Sequence, residues 1–170
     1  MADAYDVLGV AHERERELIE AWIAATPRSF APYLARAAYW RRVGHLWRGT
    51  RLARDTSRFE FESMHEALGR GRLDAKKALS LRPGLVEALR LLISIEVVDG
   101  DRERAADAME QALARCSTCY HVRTDWLWAL APRWGGSLAE MEEFATARAD
   151  AATPRHRSLR GYVDVERATQ

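Results

Sequence analysis

Apolar residues recur along this chain at intervals of three and four, and no segment sustains the every-second-residue alternation of a half-buried strand. Leu18, Ile19, Trp22 and Ile23 lie on one side of a helix predicted over about His12 to Ala25. Thr26-Pro27 ends it, because the residue before a proline is pushed out of helical geometry. Ala31, Leu34, Ala35, Ala38, Tyr39, Val43 and Leu46 mark a second helix near Phe30 to Trp47, with Gly49-Thr50 as its exit. Ser57 followed by Glu60 is a capping-box pattern, in which each side chain satisfies a backbone donor left over at a helix start. The helix it opens keeps its rhythm through Phe61, Met64, Leu68, Gly71, Ala75 and Ala78 as far as Pro83. Gly69 and Gly71 each cost about 1 kcal/mol relative to alanine in a helix interior, so the pattern predicts one long helix with a kink.

The clearest periodicity follows. Pro83 to Ser117 holds Leu89, Leu92, Ile93, Gly100, Ala105, Met109 and Ala112 at the spacing of a 34-residue tetratricopeptide (TPR) repeat. Its first helix is predicted over Gly84 to Val98, its turn at Asp99-Gly100-Asp101 and its second helix over Arg102 to Arg115. Gly100 suits the left-handed residue that closes a helix, and Asp101 suits the N-cap of the next. Ala105 and Ala112 stand where two helices approach too closely for a larger side chain. The register extends both ways, since Ala78 lies 34 residues before Ala112 and Ala139 lies 34 after Ala105. A third unit runs over Tyr120 to Leu130, breaks at Pro132-Arg-Trp-Gly-Gly and resumes at Ser137, with Glu140 completing another capping box. A last helix begins near Thr153-Pro154, with Leu159, Tyr162 and Val163 on its apolar side. It has no following partner. Either it folds back onto the preceding pair, or the array once continued past Gln170.

The fold expected is therefore all-α: TPR-like antiparallel helix pairs stacked into a short right-handed superhelix, in a single domain over 1–170. Its parts are an N-terminal helix (1–27), a first helix pair (28–82), the central repeat (83–117), a third pair (118–150) and a C-terminal helix (153–170).

Composition narrows the class without naming a task. The chain is 48% hydrophobic and 30% charged, an ordinary globular balance. A formal net charge of +1 supplies no overall field for nucleic acid or membrane. Of 26 basic residues only Lys76 and Lys77 are lysines, a bias that points to a GC-rich bacterial genome. The opening Met1-Ala-Asp-Ala-Tyr-Asp6 lacks the basic start of a signal peptide. The greasiest stretch, Leu89 to Val98, is interrupted by Arg90, Ser94 and Glu96 and is too short to cross a bilayer. Two cysteines make no disulfide framework, and a reducing cytoplasm is the expected setting.

Three segments carry a family resemblance: Trp47-Arg48-Gly49 after an aromatic helix, Ala78-Leu-Ser-Leu-Arg-Pro83, and Leu130-Ala-Pro-Arg-Trp-Gly-Gly-Ser137. Together they resemble the bacterial domain-of-unknown-function 4034 family, a TPR-like helical group, over roughly Arg28 to Tyr162. The most specific piece is Pro132-Arg-Trp-Gly-Gly-Ser137. Gly69 and Gly71 depart from the family's pattern. The resemblance implies the fold and brings no activity with it.

Candidate chemistry is sparse. Cys116-Ser-Thr-Cys119, with His121 two residues on, admits a redox pair or half of a zinc site, but structural zinc needs four ligands and no second pair exists. The favoured reading is two free cysteines acting as small apolar residues in an inter-repeat turn. His65-Glu66 fails as a zinc-protease signature because Gly69 occupies the second histidine's place. No nucleophile elbow, phosphate-binding loop or dinucleotide fingerprint is present. Glu13, Glu15, Glu17 and Glu20 read as a solvated face shared with Arg14 and Arg16. No enzyme, cofactor or metal is expected.

Two surfaces remain. The segment Arg36 to Arg58 holds seven arginines, among them Arg41, Arg42, Arg48 and Arg51, interleaved with Trp40 and Trp47. Arginine beside aromatics suits nucleic acid or an acidic protein, but the favoured reading is that these arginines pair internally with the acidic first helix or stand in solvent. In stacked helix pairs the first helix of each unit lines the concave face, which here presents Glu87, Arg90 and Ser94, then His121, Thr124 and Trp128. Trp134 in the Trp-Gly-Gly loop reads as a plug between helix pairs. The function expected is a non-catalytic protein-interaction module that binds a protein or peptide, acidic by preference, on that face. A nucleic-acid binder using the arginine segment and a cysteine redox or metal protein are the alternatives.

Overall fold

The computed structural model describes residues 2–50, 53–147 and 158–169, with residues 2–12 and 147 as helix backbone alone. Among them stand eight α-helices, two short 3₁₀ turns and no strand. The helices are α1 (Ala2–Ala25), α2 (Phe30–Arg48), α3 (Arg58–Leu81), α4 (Val86–Asp99), α5 (Arg102–Arg115), α6 (Tyr120–Ala129), α7 (Leu138–Ala147) and α8 (Leu159–Ala168). The 3₁₀ turns are Ala53–Asp55 and Pro132–Trp134. The all-helical expectation holds, with most boundaries within two residues of the predicted ones.

Local chemistry sets those boundaries. Ser29 caps α2 by accepting from the Ala31 amide at 3.3 Å, and Gly49 leaves it at φ +59°. Ser57 and Glu60 form the complete capping box: the Ser57 amide donates to Glu60 at 2.8 Å and the Glu60 amide to Ser57 Oγ at 3.2 Å. Asp101 accepts from the Arg104 amide at 3.0 Å to start α5, directly after Gly100 at φ +86°. The helix α3 runs from Arg58 to Leu81 without a break.

The chain divides into two compact units, residues 1–91 and 92–170. In the first, α2 and α3 form an antiparallel hairpin. Arg82 sits over Phe30, Lys77 over Tyr33, Arg70 over Trp40, and Phe59 against Trp47, so the contacts step in opposite directions along the two helices. The helices come close because the facing positions are small: Ala37, Gly44, Ala67, Gly71, Ala75 and Ala78 are all buried. A Cβ on Gly44 would lie 2.6 Å from Leu68 Cδ2 and 2.8 Å from its Cγ, so side chain and missing side chain interlock.

Helix α1 lies along α2, its Glu15 reaching Arg42 and its Glu20 reaching Arg36. Ile19 is buried and Ile23 half-buried, but Leu18 and Trp22, expected on the same face, are 66% and 45% exposed. A helix turns about 100° per residue, which makes Ile19/Ile23 and Leu18/Trp22 two adjacent stripes. Burial of one leaves the other in water.

In the second unit the core is built on Ile93, Ile95, Val122, Leu127, Met141 and Leu159, with Ala105 and Ala112 fully buried as their size requires. Helix α8 packs on α7 and α6, the fold-back of the two arrangements the sequence leaves open. Leu159 and Val163 are buried there, each contributing about 1.5–3 kcal/mol. Tyr162, expected on the buried side, is exposed. The Thr153-Pro154 start lies outside the described residues.

Candidate functional site

The arginine segment is occupied from within. The Arg36 guanidinium makes two 2.8 Å hydrogen bonds to Asp74 and further bonds of 2.8 and 2.7 Å to Glu20. Asp74 is 6% exposed, and its bond is the largest influence holding Arg36 protonated beyond the ordinary arginine value. Arg42 pairs with Glu15 and lies over the Tyr39 ring. Arg48 donates to Thr56 Oγ1 at 3.3 Å and lies over Phe61. Arg54 faces Asp55 at 3.9 Å, and Arg58 donates to Glu62 at 2.7 Å. Arg41 is half-buried on α2, one turn before His45, and its charge adds to burial in pushing the His45 imidazole below its ordinary value. Arg51 lies outside the described residues. The acids of α1 and α3 thus take up the charges of Arg36 and Arg42, while Arg54 and Arg58 keep largely exposed side chains.

The hairpin also carries an exposed cluster that the sequence pattern does not assemble, since it puts Leu46 on the apolar stripe of the second helix and Trp47 among the arginines. Leu46, Trp47 and Phe59 stand where α2 ends and α3 begins, 46%, 39% and 64% exposed, with Trp47 and Phe59 edge to face at 5.6 Å. The signal was available: two aromatics at facing ends of a predicted hairpin, outside both apolar stripes.

The six positions expected on a concave face have different surroundings. Glu87 and Arg90 bond to one another on α4 at 2.9 Å, in the first unit. Ser94, His121, Thr124 and Trp128 belong to the second. Ser94 is half-buried and His121 exposed, while Thr124 turns its hydroxyl back to the His121 carbonyl at 3.0 Å. Trp128 is half-buried, and its ring meets that of Trp134 with centroids 4.7 Å apart.

That contact explains the loop after α6. Gly135 takes φ +83°, and Gly136 passes so close to the Leu130 carbonyl that a Cβ would lie 2.1 Å from its oxygen. The two glycines let the chain fold Trp134 back over Trp128. Arg102 of α5 anchors the loop by donating to the Gly135 carbonyl at 3.4 Å and pairing with Glu140. Ser137 and Arg102 together hold the Glu140 carboxyl below its ordinary value.

Cys116 and Cys119 correct the free-thiol reading: they are bonded, with Cα atoms 5.3 Å apart. Cys116 ends α5 and Cys119 is the N-cap of α6, and the turn between helices brings the two Cβ atoms within disulfide reach. The Cys-x-x-Cys spacing was the available signal.

Among the described residues no group of three or more His, Cys, Asp or Glu is placed to hold a metal ion, and no helix is long and apolar enough to cross a membrane. A cleft of about 610 Å³ lies between α7 and α8, lined by Glu142, Glu143, Thr146, Arg160 and Asp164. Two of its three carboxylates, Glu142 and Asp164, already hold Arg167.

No curated protein and no solved structure matches the chain. A family model, the domain of unknown function DUF4034, matches residues 3–106. That span includes Trp47-Arg48-Gly49 and Ala78 to Pro83 and stops before the Leu130 to Ser137 segment. From α1 into α5, then, the pattern of this sequence is the family's own, and the chain belongs to the DUF4034 family.

Proposed function

We propose that this protein is a non-catalytic interaction module, in which TPR-like helix pairs serve as a scaffold for a protein or peptide partner. The observation that carries this reading is the exposed Leu46–Trp47–Phe59 cluster on the α2–α3 hairpin. Large aromatics held at a fixed angle in water are the residue type that dominates interface energies when a partner covers them. The hairpin that presents them is cross-linked by the half-buried Arg36 and the buried Asp74, and a preorganised surface loses less ordering entropy on binding. The pairing of Arg36 with Asp74 and Glu20 and of Arg42 with Glu15 supports a protein partner over nucleic acid, because those two charges are already met within the fold and less able to neutralise phosphates. The covering of Trp128 by Trp134 favours the hairpin end over the α6 face as the anchor.

The test is site-specific photo-crosslinking in cells of the source organism, with the photoreactive residue at Phe59 or at His121. A discrete protein adduct from Phe59, lost on Trp47→Ser, is the expected result. Equal labelling at both positions, or an adduct that survives Trp47→Ser, would refute the hairpin as the anchor. Recovery of nucleic acid in place of protein would replace the reading altogether.

A further inference from the structure

We propose that Cys116 and Cys119 form a reversible dithiol–disulfide site that exchanges with low-molecular-weight or protein dithiols and sets how α6 begins. The bond does little as a staple. It closes a ring over only two intervening residues, Ser117 and Thr118, and a cross-link removes least entropy from the unfolded chain when its loop is shortest. It is also within reach, since both cysteines are only half-buried and Ser117 and Thr118 between them are exposed.

The surroundings favour one sulfur as the leaving group. Cys119 is the N-cap of α6, yet no side chain caps that position by a hydrogen bond. The first-turn amides of a helix favour a negative charge, so a Cys119 thiolate would take the place that Ser or Asp takes elsewhere in this chain. One turn on, Arg123 is 3% exposed and donates from Nη2 to the Ser117 carbonyl at 2.6 Å, bringing a buried positive charge to the same loop. A thiolate is stabilised at a helix N-terminus beside an arginine.

Exchange then runs in two balanced steps. The thiolate of an incoming dithiol attacks Cys116 Sγ, a bond forms between them, and the electron pair of the old bond leaves on Cys119 Sγ, the better leaving group. The second thiol of the reagent gives its proton to water and attacks its own sulfur in the mixed disulfide. Cys116 leaves and is protonated by solvent. The reagent ends as a cyclic disulfide and the protein as a dithiol, two electrons having passed to the protein; a small disulfide such as oxidised glutathione reverses the change. The site belongs to the second unit and is independent of the Trp47–Phe59 reading.

The experiment uses the full chain. Protein purified without reductant is weighed, then reduced with dithiothreitol under native conditions, and each cysteine's alkylation by iodoacetamide is followed by peptide mass across pH. The mass is expected two hydrogens short of the dithiol, and native dithiothreitol should reduce it fully. Cys119 should then alkylate on the order of tenfold faster than Cys116 near neutral pH, with its half-point at lower pH than in the urea-unfolded chain. Hydrogen exchange at the start of α6 should differ between the two states. Equal alkylation of the two cysteines at the unfolded-chain rate would overturn the proposal. So would a disulfide that yields only once the protein unfolds, or a purified protein in which both thiols are free.

Discussion

Arg36 of α2 clasps Asp74 of α3 through two hydrogen bonds of 2.8 Å, and the carboxylate it holds is one of the most buried charges in the first unit. Removal of the arginine strands that charge, whereas Glu20, the other acid on the same guanidinium, has a half-exposed side chain and returns to water. Arg36→Ala is expected to lower stability by about 3–5 kcal/mol, and Glu20→Ala by no more than about 1 kcal/mol. Urea denaturation of the two variants checks the ratio. Equal losses would mean that Asp74 finds compensation without Arg36.

Gly44 and Gly69 sit on the same hairpin and should respond oppositely to alanine. A methyl at Gly44 meets the buried Leu68 side chain at 2.6 Å, while one at Gly69 meets nothing within 4 Å. Overpacking costs about 1–3 kcal/mol, against about 1 kcal/mol gained in helix propensity. Gly44→Ala should therefore lower the urea midpoint and Gly69→Ala raise it.

The Trp134 loop gives a second such contrast. Gly136→Ala places a Cβ 2.1 Å from the Leu130 carbonyl oxygen, which the backbone of a buried segment cannot yield; the loss should exceed about 3 kcal/mol, in the range reserved for broken cores. Gly135→Ala has open space and only the left-handed backbone to oppose it, worth about 1–2 kcal/mol. In Gly136→Ala the Trp128–Trp134 contact should open, read as increased quenching of tryptophan fluorescence by acrylamide.

Acidification should weaken the fold in two stages. Burial, then the Arg41 charge, push the His45 imidazole below 6.5. The unfolded chain therefore binds the proton first, and stability falls as pH drops below 6.5 until the folded value is reached. Ser137, then Arg102, hold Glu140 below 4.5, so its contribution is complete above 4.5 and is lost as pH falls through its folded value. His45→Gln should flatten the upper stage and Glu140→Gln the lower, in thermal melts across pH. A profile unchanged by both substitutions would assign the acid sensitivity to other groups.

The helices were legible because their signals are local. Ser57 and Glu60, Asp99-Gly100-Asp101 and the proline after Thr26 each act within one turn of chain, and the structure places α3, α5 and the end of α1 where they direct. The Trp-Gly-Gly loop was half legible: its glycines announced unusual backbone, and Trp134 read as a plug, but nothing in the sequence named Trp128 as the residue it covers.

By itself, then, the sequence determined an all-helical chain, its caps and turns, the small residues of its tight helix contacts and its family. Tertiary structure decided which of two neighbouring stripes of α1 is buried, because one packing partner covers one face. It also decided that Arg36 and Arg42 face the acids of their own fold, and that α8 turns back onto α7. Those outcomes rest on pairs far apart in the chain. A periodic pattern shows how many apolar and charged faces a helix carries, and only the packing of one helix on another settles which of them meet water.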